Sequence, residues 1–335
     1  MTILITGATG FVISNLTRHL AELGQDVVAA DLNPPDDALR DFLSGLPGQV
    51  SFRQVDVADP EAVHGLVREL RPARAVHGAA ITAIPPEVER ARFVRTAEVN
   101  VMGTLHVLDA LREVGSGRIV VVSSGSVYGP RPDSAPVSED DPGNPRALYP
   151  ITKWAAESLA RRFAEVNDLD LGVVRLASPF GPFERDTGSR PLLSAIRTWA
   201  LAGLRGQPIR LSGPPEAPRD VVYAADVASG IAAVLLADRL PHRVYNVGWG
   251  RAATADEILA GLAKLIPNLT VERLPREASP WSGGPNGTRG PLRNDRLRQD
   301  LGWAPRFDLD SGLAAYVDWL ARHADDEAHA DRSYP

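Results

Sequence analysis

Cysteine is absent from the 335 residues. That excludes disulfides, thiolate metal sites, iron–sulfur clusters and a cysteine nucleophile. No apolar run reaches the roughly 18 residues that a membrane helix needs. Lys+Arg total 36 against 42 Asp+Glu, a net charge of −6, so a broad nucleic-acid-binding face is not expected. Lysine itself is nearly missing: Lys153 and Lys264 are the only two, and every other basic side chain is arginine. The start MTILITGATG carries no basic stretch and enters an apolar strand at once, so a cytoplasmic protein without a signal peptide is expected. What is present is ordinary globular material, 44% hydrophobic and 23% charged. The length suggests about two domains, or one α/β domain with a smaller appendage.

Short apolar runs alternate with amphipathic stretches through the first half. Thr2–Thr6, Asp26–Asp31, Val50–Val55, Ala73–His77, Arg118–Val122 and Asp170–Arg175 read as strands. Helical spacing falls at Gly10–Leu23, Pro60–Leu70, Val94–Val114 and Tyr149–Asn167. Strands alternating with helices predict a parallel sheet covered on both faces. Beyond residue 178 proline and glycine become frequent, with helical patterns at Leu192–Leu204, Ala225–Ala237, Thr254–Leu265 and Ser311–Arg322. Pro275–Pro291 is aperiodic, either a lid or a plain surface loop, and residues 325–335 read as a frayed tail.

The first strand runs into Thr6-Gly7-Ala8-Thr9-Gly10-Phe11-Val12-Ile13. A glycine-rich turn between strand and helix presents backbone N–H groups to a pyrophosphate. Asp31 closes the second strand, where a carboxylate accepts both hydroxyls of an adenosine ribose and repels a 2′-phosphate. The pattern therefore predicts NAD rather than NADP; otherwise it is a tight turn plus a strand-end acid. Ile13 stands where a third glycine is expected, so the helix must be pushed outward or a gap must compensate. Asp56 could reach an adenine amino group with the Val57 backbone alongside, or could belong to the helix start before Pro60. Gly78-Ala79-Ala80 is small enough for a flat cofactor to lie against its backbone.

Ser123 and Ser124 end the strand IVVVSS, while Tyr149 and Lys153 share one helix face at i and i+4. A phenol with a free pKa of about 10 is a poor base at neutral pH. A lysine charge and an oxidised nicotinamide beside Tyr149 would pull it down. Tyr149 would then serve as general base, with Ser124 holding the same substrate oxygen while hydride passes to the nicotinamide.

Together these motifs resemble the extended short-chain dehydrogenase/reductase family, in its NAD-dependent epimerase/dehydratase branch. TGATGF, VVSSGSVYG at 121–129, YPITK at 149–153, RLASPFGP at 175–182, RDVVYAADVA at 219–228 and LGWAP at 301–305 carry the resemblance over nearly the whole chain. It implies a Rossmann-type doubly wound parallel sheet over 1–177 and a smaller C-terminal α/β substrate domain over 178–324, some of whose segments return to the first domain. It implies Ser124, Tyr149 and Lys153 as catalytic residues. Gly7, Gly10, Phe11, Val12, Asp31, Asp56, Val57, Ala79, Ala80, Asn100, Ser123, Tyr149 and Lys153 would surround NAD. Ser124, Ser126, Ser178, Arg190, Arg219 and Arg289 would meet the substrate, with Arg219 on a sugar-nucleotide diphosphate unless it pairs with Asp220 or Asp226. No metal is implied. A homodimer through the helices near 94–114 and 149–167 is.

Departures from the pattern narrow the reading. Gly125 and Ser126 stand where dehydratases carry an Asp–Glu pair, which argues against a 4,6-dehydratase. Ser178 replaces a usual asparagine. The Arg-x-Gly-Asp segment is missing before Asp295, with Arg276 or Arg289 as substitutes if the loop folds over. Phe183-Glu184-Arg185-Asp186 would suit a polar or acidic sugar, or is solvated loop. The expected activity is C4 epimerisation of a nucleotide sugar, a UDP-hexose or a UDP-uronic acid. The rival is a net dehydrogenase or reductase acting on a non-nucleotide sugar, sugar acid or natural-product ketone. A third possibility is a binding protein that keeps the fold without the chemistry.

Overall fold

The computed structural model describes residues 2–82, 86–131, 134–212, 218–274 and 289–323. Its strands are β1 (Thr2–Thr6), β2 (Asp26–Asp31), β3 (Val50–Gln54), β4 (Arg74–His77), β5 (Ile119–Ser124), β6 (Leu171–Leu176), β7 (Ser178–Phe180), β8 (Ile209–Ser212), β9 (Val221–Tyr223), β10 (Val244–Val247) and β11 (Val271–Leu274). The helices are α1 (Phe11–Glu22), α2 (Asp37–Phe42), α3 (Pro60–Leu70), α4 (Pro86–Ala97), α5 (Gly103–Val114), α6 (Leu148–Val166), α7 (Ala195–Leu204), α8 (Ala224–Leu236), α9 (Ala255–Leu265), α10 (Asp295–Leu301) and α11 (Leu309–Arg322).

Seven strands form one parallel sheet in the order β10-β6-β5-β4-β1-β2-β3. The order reverses between β1 and β4, and the crevice beyond the strand ends at such a reversal is where doubly wound sheets bind nucleotides. The near-continuous apolar runs of β1, β5 and β6 follow from this placement, since a central parallel strand is covered on both faces. One face carries a core joining Ile13, Leu16 and Leu20 of α1 to Val227, Ile231 and Leu235 of α8. The other joins Val63 and Val67 of α3 to Val107, Leu108 and Leu111 of α5 and to Ala160 and Ala164 of α6. A third core gathers Trp199, Leu262, Tyr316 and Leu320 of α7, α9 and α11 around Phe180, with the pairs β7–β9 and β8–β11 alongside. In the large sheet, β10 pairs with β6 in parallel.

Local chemistry sets several boundaries. Asp59 caps α3 through the Ala62 N–H with Pro60 in the first turn. Capping boxes of Thr254 with Glu257 and of Asp308 with Ser311 start α9 and α11.

The single helix expected over Val94–Val114 is corrected by the structure. It is three pieces: α4, a π-helical turn over Glu98–Met102, and α5. The wider turn carries Asn100, whose side chain is committed to neighbouring elements rather than to solvent. The loop expected over Pro275–Pro291 lies outside the described residues for 275–288, Arg276 included, as does the tail from 324. Among the described residues no helix is long and apolar enough to cross a membrane.

Candidate active site

The turn after β1 is built for close approach. Gly7 has φ +79, and a Cβ there would lie 2.6 Å from the Ala79 nitrogen. Only glycine both adopts that φ without strain and lets the backbones after β1 and β4 meet. Gly10 caps α1 without any side-chain acceptor, and the first turn carries no acidic residue. The open N–H groups at this positive helix end fit the pyrophosphate of a dinucleotide. Asp31 accepts the Thr9 N–H at 3.0 Å and the Asn33 N–H at 3.1 Å, which sets a carboxylate beside the turn. Phe11 is buried, Val12 is half-buried, and the Ala79 and Ala80 backbone flanks the crevice.

Ile13 is accommodated by a gap on the opposite wall. A Cβ on Gly78 would lie 2.3 Å from Ile13 Cδ1, so the branched side chain occupies the room that Gly78 leaves free. The glycine missing from the helix is supplied by the strand end.

Asp56 accepts the Ala58 N–H at 2.9 Å and Arg95 Nη2 at 2.5 Å. Burial opposes ionisation, yet these two donors hold its carboxyl below the usual range. Asp59, not Asp56, caps the following helix. Val57 is buried, and its carbonyl lies 3.1 Å from His106 Nδ1. Asn100, fully buried, accepts the Ile81 N–H at 2.8 Å and donates to the Ile81 carbonyl and Thr152 Oγ1, each at 2.9 Å. Thr152 donates to the Tyr149 carbonyl at 2.8 Å. The π turn thus braces the first turn of α6, where Tyr149 sits.

Ser123 and Ser124 point to opposite faces of β5, as successive strand residues must. Ser123 turns inward and donates to Glu157 at 2.8 Å, so its hydroxyl is committed away from the crevice. Ser124 accepts from Ser126 Oγ at 2.9 Å and from the Ser126 N–H at 3.2 Å, and it hydrogen-bonds the Tyr149 phenol. The structure brings Ser124, Ser126 and Tyr149 into one hydrogen-bonded group at the C-terminal end of β5.

The electrostatics differ from the sequence expectation. Burial pushes the Tyr149 phenol up; the Ser124 hydrogen bond and the guanidiniums of Arg190 and Arg289 pull against it. Lys153 was expected to be the cation acting on the phenol. Its electrostatic partner is instead Glu157, one turn further along α6, and burial brings its ammonium down to about 8.

The second wall is a folded loop. Glu184, fully buried, accepts from Arg190 Nη2 at 3.0 Å, the Ser194 N–H at 2.7 Å and Ser194 Oγ at 2.6 Å. Arg190 lies 5.2 Å from the Phe11 ring centroid. Arg185 pairs with Asp36, and Phe183 holds φ +63 against the Phe42 ring. The cluster at 183–186 is therefore a tethered clamp for Arg190, not solvated loop. Glu184 was named in the sequence only as part of the 183–186 cluster, and Glu157 was missed, because a carboxylate's partner on another element leaves no spacing signal; only the Lys153-to-Glu157 step of four hinted at the latter.

Ser178 donates its N–H to the Asp220 carbonyl at 2.9 Å. Arg219 is exposed and bridges Ala253 through backbone hydrogen bonds. Asp220 does not provide the ion pair considered for Arg219. Its carboxylate accepts the N–H groups of Trp249, Gly250 and Leu292 at 2.9, 3.3 and 2.9 Å, and burial raises it to about 6 despite them. Asp226 accepts those of Arg306 and Phe307. Arg289 packs against the turn after β5: a Cβ on Gly125 would lie 3.1 Å from its Nη2.

Comparison with known proteins agrees with this geometry. Residues 3–248 match the model of the NAD dependent epimerase/dehydratase family. The UDP-glucose 4-epimerase of Mycolicibacterium smegmatis is 31% identical over 321 residues, covering 96% of this chain and 98% of that protein. The structure of the Thermus thermophilus UDP-glucose 4-epimerase in complex with NAD has 28% identity and a TM-score of 0.80, covering 95% of this chain and 98% of that one. MoeE5 in complex with UDP-glucuronic acid and NAD has 27% identity and a TM-score of 0.81, covering 96% of this chain and 99% of that one. With its Rossmann-type sheet and its fitting dinucleotide turn, the chain belongs to the NAD-dependent epimerase/dehydratase family, and NAD is its cofactor.

Proposed function

We propose that this enzyme inverts C4 of a nucleotide sugar, a UDP-hexose or a UDP-uronic acid. The observation that carries the reading is the Ser124–Tyr149 hydrogen bond, with Ser124 held by Ser126 at the C-terminal end of β5. Bound NAD would supply reversible hydride acceptance for the sugar carbon. Tyr149 removes the proton of the C4 hydroxyl and gives it back. Ser124, itself held by Ser126, donates to the same oxygen and keeps it in line. Gly7, Gly10 and the N-terminus of α1 would hold the pyrophosphate, and Asp31 the adenosine ribose.

Relatives that act on UDP-glucose and UDP-glucuronate support the substrate class. Gly125 and Ser126, where dehydratases place acids, support epimerisation over dehydration. Arg289, packed at Gly125, favours the uronic acid member, because a carboxylate on C5 lies one ring atom from the reacting carbon. Arg219 is left to the diphosphate. Phe93, Val94, Met102, Ile151, Leu159 and Val166 are exposed on α4, the π turn and α6, which supports a homodimer through these helices. The test is incubation of the NAD-loaded protein with UDP-glucose and with UDP-glucuronate, followed by NMR of the sugar. The C4 epimer should form in at least one.

A further inference from the structure

Glu157 stands one turn beyond Lys153 on α6, and only 1% of its side chain is exposed. A carboxylate at that depth is stable only when paired. Its partners come from two strands. Arg175 of β6 donates through Nε to both oxygens at 3.1 Å and through Nη2 at 2.5 Å, and Ser123 of β5 donates at 2.8 Å. Arg175 is locked in turn. Its Nη1 donates to the Tyr128 hydroxyl at 2.8 Å and to the Glu139 carbonyl at 3.1 Å. Tyr128 donates its O–H to Asn246 Oδ1 at 2.8 Å, and the Asn246 N–H donates to Glu139 Oε1 at 2.8 Å. α6 cannot slide along the sheet without breaking this fork, and Ser123 is the neighbour of Ser124.

We propose that Glu157 is a positioning residue: anchored by Arg175 and Ser123, it keeps the buried Lys153 an ammonium and holds α6 in register with β5. The proposal rests on the reading of Lys153 as part of the catalytic group. The surrounding titratable groups leave this task to Glu157. His77, on β4, is driven down to about 3, first by burial and then by Lys153, so it is uncharged at neutral pH. Tyr128 is pushed up to about 12, chiefly by burial, and is neutral too. Arg175 faces Glu157 from the β6 side, and Glu139 meets Arg175 and Asn246 rather than Lys153. Burial lowers Lys153 to about 8, and Glu157 is the charge that opposes this.

The near-absence of lysine makes the proposal directly measurable. Protein labelled with 13C at lysine Cε gives two signals, and K264R assigns them. In the free protein Lys153 should titrate near 8, and in E157Q its midpoint should fall by at least about one pH unit, a tenfold smaller ammonium-to-amine ratio at a given pH. Because E157Q strands the Arg175 guanidinium without its counter-ion, E157Q/R175M is measured beside it and should show a fall in the same direction, smaller because the neighbouring cation is gone as well. An unmoved Lys153 midpoint in either folded variant, with only the melting temperature lowered, would overturn the proposal. No substrate enters this titration, so failure of the epimerase assay and failure of the Glu157 proposal are separate results.

Discussion

At the scale of single residues, the proposed chemistry falls to one phenol. Tyr149 is half-buried and bonded to Ser124, and desolvation pushes its phenol up rather than down in the free protein. On the proposed reading, the positive charge of an oxidised nicotinamide would supply part of its acidity. Y149F should lower kcat by about 10²–10⁴-fold, the range for loss of a positioned acid–base group, while the melting temperature stays near that of the wild type. Steady-state kinetics and a thermal melt check both parts. S124A should also lose activity while NAD affinity, measured by calorimetry, is retained. These residues were legible in the sequence because their order and spacing encode them: a serine closing an apolar strand, and a tyrosine and a lysine one helical turn apart. The charge environment was not legible. The cations that act on the phenol are Arg190 and Arg289, and neither is near Tyr149 in the chain.

At the scale of elements, the pairing of α1 with the end of β4 shows how one departure is balanced by another. Ile13 could be identified as an intrusion from sequence, but whether the helix moved or the wall yielded depended on which residue faced it. The facing residue is Gly78, far away in the chain. G78A should destabilise the fold by roughly 1–3 kcal/mol through overpacking. I13A should also destabilise it, by leaving a cavity. The double variant should cost less than the sum of the two, because each change relieves the other. A denaturant-unfolding cycle measures the coupling, and strict additivity would show that the two side chains do not share this space. The long helix expected over Val94–Val114 was right in extent from Val94 onward and wrong in continuity. Hydrophobic spacing cannot reveal a π turn, which here carries the Asn100 hydrogen bonds to Ile81 and Thr152.

At the scale of the whole molecule, the parallel sheet and its two covering layers were visible in the alternation of apolar runs with amphipathic stretches. The short pairs β7–β9 and β8–β11 were not, because a strand of three or four residues carries too little pattern. Stability should depend on acid in a direction set by His77. It is fully buried between Thr6 and Thr104, and burial, then Lys153, drives it down to about 3. A histidine kept neutral in the fold but free to take a proton when unfolded stabilises the protein above pH 6.5, and that contribution is lost as pH falls toward 3. Asp220 works in the opposite sense over a narrower range, from its ordinary value to about 6. The His77 contribution should therefore fall on acidification from pH 6.5 to 4, opposed by the raised carboxyls of Asp220 and Asp226, and unfolding free energy should drop less with acid in H77Q than in the wild type. Light scattering should give twice the chain mass, and I151R/L159R on the exposed face of α6 should give the monomer.

The most direct measurement mixes NAD-loaded protein with UDP-glucose or UDP-glucuronate and follows the sugar by NMR and NADH by absorbance in the same sample. The account predicts that the C4 epimer accumulates to equilibrium with no net NADH, and that Y149F abolishes this. Steady NADH formation without any epimer, or an epimer formed equally well by Y149F, would contradict it.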